Sequence, residues 1–163
     1  MAKIRTTYSM RTDVMALLKA AEVKTGIPWL RLLIRAVQKL VEKNKRYLRF
    51  SGRIRYQKRF DEKTKLPIPK KRVKVRLLEG EYYYFQDLRR VCVLSISHVL
   101  AIAVFTYLKE VVDEIMTIKN NGDVDGDNYP LVNYAIIKKC LKNITTFRIW
   151  WGVPEDLEEL FDN

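Results

Sequence analysis

The pattern of apolar and polar positions occurs twice along this chain. A short alternating segment, an amphipathic helix, a break of small residues and a second helix with an apolar stripe run from about residue 3 to 44. The same order returns from about residue 72 to 119. A repeated unit of this size has too little apolar surface to close a core alone. The sequence therefore predicts that the two copies complete one core.

The first copy opens on a strand with one apolar and one polar side. Side chains alternate across a strand, and the polar side here comprises Lys3, Arg5, Thr7 and Ser9. Thr12 is predicted to be the N-cap of the helix that follows, and Gly26 ends that helix. Pro28 then opens the second helix, where its missing N–H costs nothing.

The second copy has the strictest alternation in the sequence. Its polar side is uniformly basic and comprises Arg72, Lys74 and Arg76. The first helix of this copy is less regular, and matching it to its counterpart requires about two extra residues. A second helix from His98 to Met116 is apolar on nearly every side, which predicts that it is buried at the centre of the molecule.

A basic connector, residues 45–71, joins the two copies. Arg53 and Arg55 lie in a stretch of this connector that alternates again, which indicates one more extended segment. Pro67 and Pro69 would keep such a segment at the edge of a sheet, because proline cannot donate to the ladder of hydrogen bonds.

The remainder of the chain is predicted to be an accessory helical tail. After a polar loop, the pattern predicts a helix to about Asn143, then an aromatic stretch that includes Trp150 and Trp151, then a short acidic helix. The predicted fold is mainly α with a short β ribbon, an α+β class with C-terminal helices. Its parts are a first unit 1–44, the connector 45–71, a second unit 72–119 and the tail 120–163.

The basic charge is concentrated in the first half of the chain. Residues 1–78 carry 23 Lys and Arg against 5 Asp and Glu, whereas residues 79–163 carry 8 against 14, within a total net charge of +12. A surface of one sign attracts a polyanion, most often nucleic acid and sometimes an anionic membrane. We expect nucleic acid to be the partner. The alternative is a lysine-rich surface that serves only solvation.

The cysteine content favours a reducing compartment. Cys92 and Cys140 each lie in an apolar stretch, without a second Cys or His at ligand spacing. This arrangement argues against a disulfide framework or a zinc site. The amino terminus has no apolar run of the kind found in secretion signals. We therefore expect a cytoplasmic protein with no metal and no cofactor.

One apolar run raises the question of a membrane span. Residues 91–108 contain no Lys, Arg, Asp or Glu, and 18 such residues approach the length of a spanning helix. Ser95 and Ser97 interrupt the run, however, and together they resemble a helix start. We expect no membrane partner.

Residues for catalysis are scarce. His98 is the sole histidine, and no acid follows or precedes it closely enough in sequence to orient its ring. No phosphate-cradling glycine loop or nucleophile elbow occurs. The sequence therefore favours a binding protein over an enzyme.

The residues from Arg5 to Val41 resemble the ribbon-helix-helix DNA-binding proteins of the Arc type. They supply a ribbon strand, a first helix from Asp13 to Lys24, a turn at Gly26, and a second helix, in that order and without a gap. Residues 72–112 resemble the same unit. The resemblance covers about half of the chain and implies two ribbon-helix-helix units in tandem.

That resemblance implies a set of DNA-contacting residues. In this family, paired ribbons enter the major groove and the start of the second helix holds a backbone phosphate. Base readers would be the polar ribbon side chains Arg5, Thr7, Ser9, Arg72, Lys74 and Arg76. Phosphate contacts would come from Lys3, Gly26, Ile27, Ser95, Ser97, Arg53 and Arg55.

Three functions remain open from the sequence. The leading one is a sequence-selective DNA-binding regulator, either a repressor or an antitoxin-like protein, built as a monomer with an internal pseudo-dimer or as a homodimer. The second is an RNA-binding protein that uses residues 53–76, with aromatic side chains stacking on unpaired bases. The third is a protein-interaction module that uses Trp150, Trp151 and the acidic C-terminus.

Overall fold

A computed structural model describes residues 3–43, 48–50, 60–92, 94–120, 134–141 and 144–151. The chain is an α+β protein, which confirms the predicted class. Its elements in chain order are β1 (Lys3–Arg11), α1 (Thr12–Thr25), α2 (Trp29–Lys43), β2 (Leu48–Phe50), β3 (Lys70–Leu78), α3 (Glu79–Cys92), α4 (Ile96–Asn120), β4 (Tyr134–Leu141) and β5 (Ile144–Trp151).

Strands β1 and β3 pair antiparallel and form a two-stranded ribbon within the one chain. Along β1, exposed side chains alternate with covered ones, and Tyr8 and Met10 are buried. Along β3 the same alternation buries Val75 and Leu77. The predicted division of each strand into an apolar and a polar side is confirmed.

The two strand-helix-helix units match residue for residue. Lys70, Glu79 and Ile96 begin β3, α3 and α4, each 67 positions after the first residues of β1, α1 and α2. The strands are both 9 residues long, and α1 and α3 are both 14. The prediction of about two extra residues in the second copy is therefore wrong. The second unit starts at Lys70, two residues earlier than predicted.

The register of the ribbon places a pseudo-twofold axis at its middle. Thr7 pairs with Lys74, and these two residues occupy equivalent positions in the two units because they are 67 apart. Moving outward, Arg5 pairs with Arg76 and Ser9 pairs with Arg72. Two copies of one unit related by a twofold axis would pair in this register.

Equivalent positions of the two units form the core. Helices α2 and α4 pack against each other in its centre, beneath the ribbon. Three of their buried positions carry the same residue in both units, as Leu33 and Leu100, Ala36 and Ala103, and Val37 and Val104. The prediction that the second helix of the second copy is buried is confirmed, since ten of its residues are buried.

The turn between α1 and α2 depends on one glycine. Gly26 has φ +71°, a left-handed conformation that side chains with a Cβ rarely adopt. Its amide donates to the Glu22 carbonyl at 2.8 Å, which ends α1 as predicted. The predicted N-cap is wrong, because α1 already includes Thr12 and the cap position is Arg11. The Thr12 amide donates instead to the Pro69 carbonyl at 3.1 Å.

The predicted helix up to about Asn143 is wrong for residues 134–141, which form a strand. Strands β4 and β5 form an antiparallel hairpin, and β2 pairs with the other edge of β5. The spacing of apolar residues fits a helix up to residue 143, but β5 is rich in β-branched and aromatic residues, which favour a paired strand. Pairing with β5 therefore decides the conformation of β4. The predicted acidic helix lies outside the described residues.

The end of the connector is a turn capped by an aspartate. Asp61 Oδ1 accepts hydrogen bonds from the amides of Lys63 and Thr64 at 3.0 and 2.7 Å. Phe60 and Pro67 form an isolated antiparallel bridge across this turn. Arg53 and Arg55 lie outside the described residues. Among the helices described, none has the length and apolar character needed to cross a membrane.

Candidate nucleic-acid interface

The outward face of the ribbon carries all six predicted base-reading residues. They stand as three directly opposed pairs, which are Arg5 with Arg76, Thr7 with Lys74, and Ser9 with Arg72. All six side chains are exposed, while the opposite side of both strands faces the core. The structure therefore brings these residues together, although they are distant in sequence.

This face is strongly cationic. Neither strand contains an acidic residue, and Lys3 and Lys70 add exposed charge near its ends. Like charges directly opposite each other on a sheet are destabilising, so the Arg5–Arg76 pair is unfavourable in the free protein. A polyanion laid over the ribbon would relieve this repulsion.

Lys70 and Lys71 were missed as members of the ribbon. No apolar–polar alternation marks them, because Lys71 places a charged residue on the side of β3 that otherwise carries Val73, Val75 and Leu77. Both lysines were assigned to the connector because Pro69 and the basic run before it resemble a linker. The structure places them opposite Arg11 and Met10 in the register.

A depression of about 430 Å³ lies on one half of the ribbon. It is lined by Arg5, Thr6, Thr7, Lys74, Val75 and Arg76. Three of these six side chains are cations and Thr7 adds a hydroxyl. The depression can therefore accept an anionic or hydrogen-bond-accepting group between the two strands.

Aromatic packing fixes the ribbon to the core. Tyr8 is 4% exposed, and its ring meets the Phe85 ring edge-on at a centroid distance of 5.9 Å. Burial, and to a smaller extent the neighbouring Tyr82, raises the pKa of Tyr8 above its usual value. The tyrosine is therefore neutral across the physiological range, and the ribbon is held by apolar contacts below a charged surface.

An ion pair joins the two units next to the ribbon. Glu81 is 2% exposed and accepts a hydrogen bond from Arg31 Nη1 at 2.5 Å. Its other carboxylate oxygen accepts from the Leu78 amide at 2.8 Å, which caps α3 in the manner of a capping box. The equivalent of Glu81 in the first unit is Val14, so this link exists on one side of the pseudo-twofold axis only.

A second set of ion pairs joins α2 to α4. Lys43 Nζ lies 2.6 Å from Glu110 Oε1, and Lys39 Nζ contacts Glu110 at 3.2 Å and Glu114 at 2.5 Å. Lys43 and Glu110 occupy equivalent positions of the two units, 67 residues apart. Pairing two copies of the same unit would set like charges against each other there, which disfavours that assembly.

At the outer edge of the ribbon, Arg11 is partly engaged within the protein. Its guanidinium donates to both carboxylate oxygens of Asp13 at 3.0 and 2.6 Å, and this contact lowers the pKa of Asp13. Arg11 also lies over the Phe105 ring at 4.9 Å. It is therefore a weaker candidate for DNA contact than Arg5 or Arg72.

In the first unit, the amides of the predicted phosphate site already donate to acceptors within the protein. The Gly26 amide donates to the Glu22 carbonyl, and the Ile27 amide donates to Thr25 Oγ1 at 3.2 Å. The Trp29 amide donates to a carboxylate oxygen of Glu22 at 3.2 Å. The protein's own acceptors thus use the amides of both Gly26 and Ile27, which weakens the case for these two residues as phosphate contacts, and their phosphate contact stays a prediction.

The Glu22 carboxylate is held in its charged form. Lys19 Nζ donates to it at 2.6 Å, and that hydrogen bond, followed by the one from the Trp29 amide, lowers the pKa of Glu22. A negative charge at the start of α2 suits the helix dipole. It also repels a DNA phosphate from this position.

The corresponding start of α4 has a different chemistry. The Ser95 carbonyl accepts hydrogen bonds from the His98 and Val99 amides at 2.9 and 3.1 Å. Ser97 is 8% exposed, and its hydroxyl has no hydrogen-bond partner among the described residues. The position equivalent to Glu22 is Arg89. The phosphate contacts at Ser95 and Ser97 thus stay predictions.

The predicted protein contacts of the tail cannot be placed from the described side chains. The backbones of Trp150 and Trp151 belong to β5, but their side chains are not among those described. Within the described part of the chain, no cluster of His, Cys, Asp and Glu could hold a metal ion.

No family model, curated protein or solved structure matches this sequence.

Proposed function

We propose that this protein binds duplex DNA by laying the β1–β3 ribbon into the major groove, as a sequence-selective regulator of the tandem ribbon-helix-helix type. The observation that carries the proposal is the register of the ribbon. It sets Arg5, Thr7 and Ser9 against Arg76, Lys74 and Arg72 on one exposed face.

The dimensions and chemistry of this face suit the major groove. The groove is about 12 Å wide and accepts a two-stranded ribbon, and arginine can bond to both O6 and N7 of guanine. Lys3 and Lys70 are placed to contact the flanking phosphates, which supply orientation and salt-dependent affinity. The site of action would be the cytoplasm, where a repressor or antitoxin-like regulator meets DNA.

Ion pairs between unlike units favour the internal pseudo-dimer. Arg31 with Glu81, and Lys43 with Glu110, are matched only when a first unit meets a second unit. A single chain supplies one first unit and one second unit. The functional species proposed here is therefore a monomer with one ribbon.

Binding to duplex DNA can be tested directly by fluorescence anisotropy at about 50 mM salt. We expect binding to a mixed-sequence duplex that weakens steeply as salt increases, because counterions are released from DNA. Lys70→Ala, which removes a lysine proposed to contact a phosphate, should reduce the slope of log K against log salt by about 1. Lys109→Ala, which removes an exposed lysine of α4 outside the ribbon, is the matched control and should leave the slope unchanged.

Competition separates the rival functions. Phe60 is 52% exposed at the base of the turn formed by residues 61–66, which is the described feature that favours the RNA-binding alternative. Single-stranded RNA that displaces the duplex at lower concentration than unlabelled duplex would contradict the DNA proposal. Deleting residues 152–163, which leaves strand β5 intact, should spare duplex binding, whereas loss of binding would place the interface in the tail.

A further inference from the structure

The two ends of the ribbon are chemically unequal. Positions that are equivalent under the pseudo-twofold axis carry the same residue twice, as Lys3 and Lys70 and as Arg5 and Arg72. They differ at the other outward positions, where the hydroxyl residues Thr7 and Ser9 of the first unit correspond to Lys74 and Arg76 of the second.

This difference separates a two-arginine end from a one-arginine end. At the first, Arg5 lies directly opposite Arg76, whereas at the second Arg72 lies opposite Ser9. Arg11 also belongs to the second end, but its guanidinium already donates to Asp13, so it is not counted as a base reader. The depression on the ribbon extends from the centre over the two-arginine end, and its lining includes Arg5 and Arg76 but not Arg72 or Ser9.

The backbone does not contribute to this inequality. The strands are equally long, their helices begin at equivalent residues, and all nine strand positions pair without a bulge. Both ends therefore present their side chains at the same height above the core. Any preference for one orientation on DNA must come from the side chains themselves.

We infer that the protein reads an asymmetric duplex site in one fixed orientation, with guanines on both strands under the two-arginine end and a guanine contact from Arg72 alone under the other. This inference rests on the proposed function. Arginine distinguishes guanine through two bonds, while serine accepts several bases. Replacing a guanine under Arg76 should weaken binding by about ten-fold, since a good bidentate pair discriminates by about that factor or more.

Two substitutions should make the two ends of the ribbon alike, one by adding an arginine and the other by removing one. Ser9→Arg gives both ends two arginines, and Arg76→Ser gives both ends one. Neither should unfold the protein, because both positions are exposed and the Arg5–Arg76 pair already accommodates facing arginines. Circular dichroism melting of each variant checks this directly.

Selection from a randomised duplex library tests the inference with the full chain. The wild type should enrich an asymmetric motif. Ser9→Arg should enrich a near-palindrome with guanines at both ends, and Arg76→Ser a near-palindrome with fewer guanines. A palindromic motif from the wild type, or an unchanged motif from both variants, would overturn the inference while leaving DNA binding intact. Failure of every protein to enrich any duplex would overturn the proposed function itself.

Discussion

The first and second units share one backbone plan but carry different chemistry. Their buried positions agree, as at Leu33 and Leu100 or Ala36 and Ala103. Their outward positions differ, since Thr7 and Ser9 of β1 correspond to Lys74 and Arg76 of β3, and Glu22 of α1 corresponds to Arg89 of α3. The fold therefore constrains what lies between the units and leaves the outward positions free to differ.

That comparison explains why the molecule is one chain with unlike halves. A symmetric pair would use each interface contact twice. Here Arg31 meets Glu81 on one side of the axis, while the equivalent pair on the other side would be His98 and Val14. The asymmetry of the interface and the asymmetry of the ribbon have the same origin, which is divergence of side chains on equivalent backbones.

Shortening a leucine of the shared hydrophobic core should have the largest effect on stability. Leu33→Ala and Leu100→Ala should each lower the free energy of unfolding by about 2–5 kcal/mol, because each leaves a cavity in the packed centre. Leu33 and Leu100 are 0% and 1% exposed. Urea denaturation measures both values. A core shared by the two units predicts similar losses and one cooperative transition, whereas two separate transitions would contradict it.

Loss of the Arg31–Glu81 ion pair should lower the free energy of unfolding by less than the core substitutions do. Glu81→Ala leaves the Leu78 amide without its acceptor and Arg31 without its partner, so we expect a loss of about 1–3 kcal/mol. A double-mutant cycle with Arg31→Ala isolates the pair. Additive losses would show that the two side chains act independently. Glu62→Ala, which removes an exposed glutamate of the connector turn, is the control and should leave stability unchanged.

Charge complementarity between α2 and α4 should have a smaller effect that depends on salt. Lys43→Glu places a second carboxylate next to that of Glu110 and should lower the urea midpoint more than Lys43→Ala does. At about 1 M salt the difference between the two variants should disappear, since exposed charges are screened within about 3 Å. A difference that persists at high salt would point to packing instead of charge.

The smallest effect concerns the acid at the start of α2. The pKa of Glu22 is lowered in the folded protein, so its contribution to stability is present above the unfolded pKa of about 4.3 and is lost as pH falls through the lower folded value. Glu22→Gln should therefore lose less stability between about pH 5 and pH 2 than the wild type does. Equal losses in acid titrations would show that Glu22 is not coupled to folding.

The sequence predicts the ribbon because its signal is local. Strict alternation in β1 and β3 identifies the faces, and Gly26 marks the end of α1. The equal length of α1 and α3 was obscured because Tyr82 to Phe85 are consecutive aromatic residues, which blur helical spacing. Glu81 added to this, since a buried acid at a core position resembles a break in the apolar pattern.

What the sequence missed in the site and the tail comes from contacts distant in sequence. Glu22 reaches the Trp29 amide seven residues away, and no local pattern distinguishes such an acid from a solvent-exposed one. Strand β4 depends on pairing with β5, and tertiary pairing overrides the helical spacing of its own residues. The pairing of Arg5 with Arg76 likewise follows from topology, although each alternation was visible in advance.

Methylation interference at guanine N7 tests the central claim most directly, because N7 lies in the major groove. On a duplex selected by the wild type, we predict that methylation of the guanines under Arg5 and Arg76 prevents binding. Arg76→Ser should lose the interference at one of these guanines and retain it at the other. Binding that is indifferent to N7 methylation at every guanine of the selected site would contradict insertion of the ribbon into the major groove.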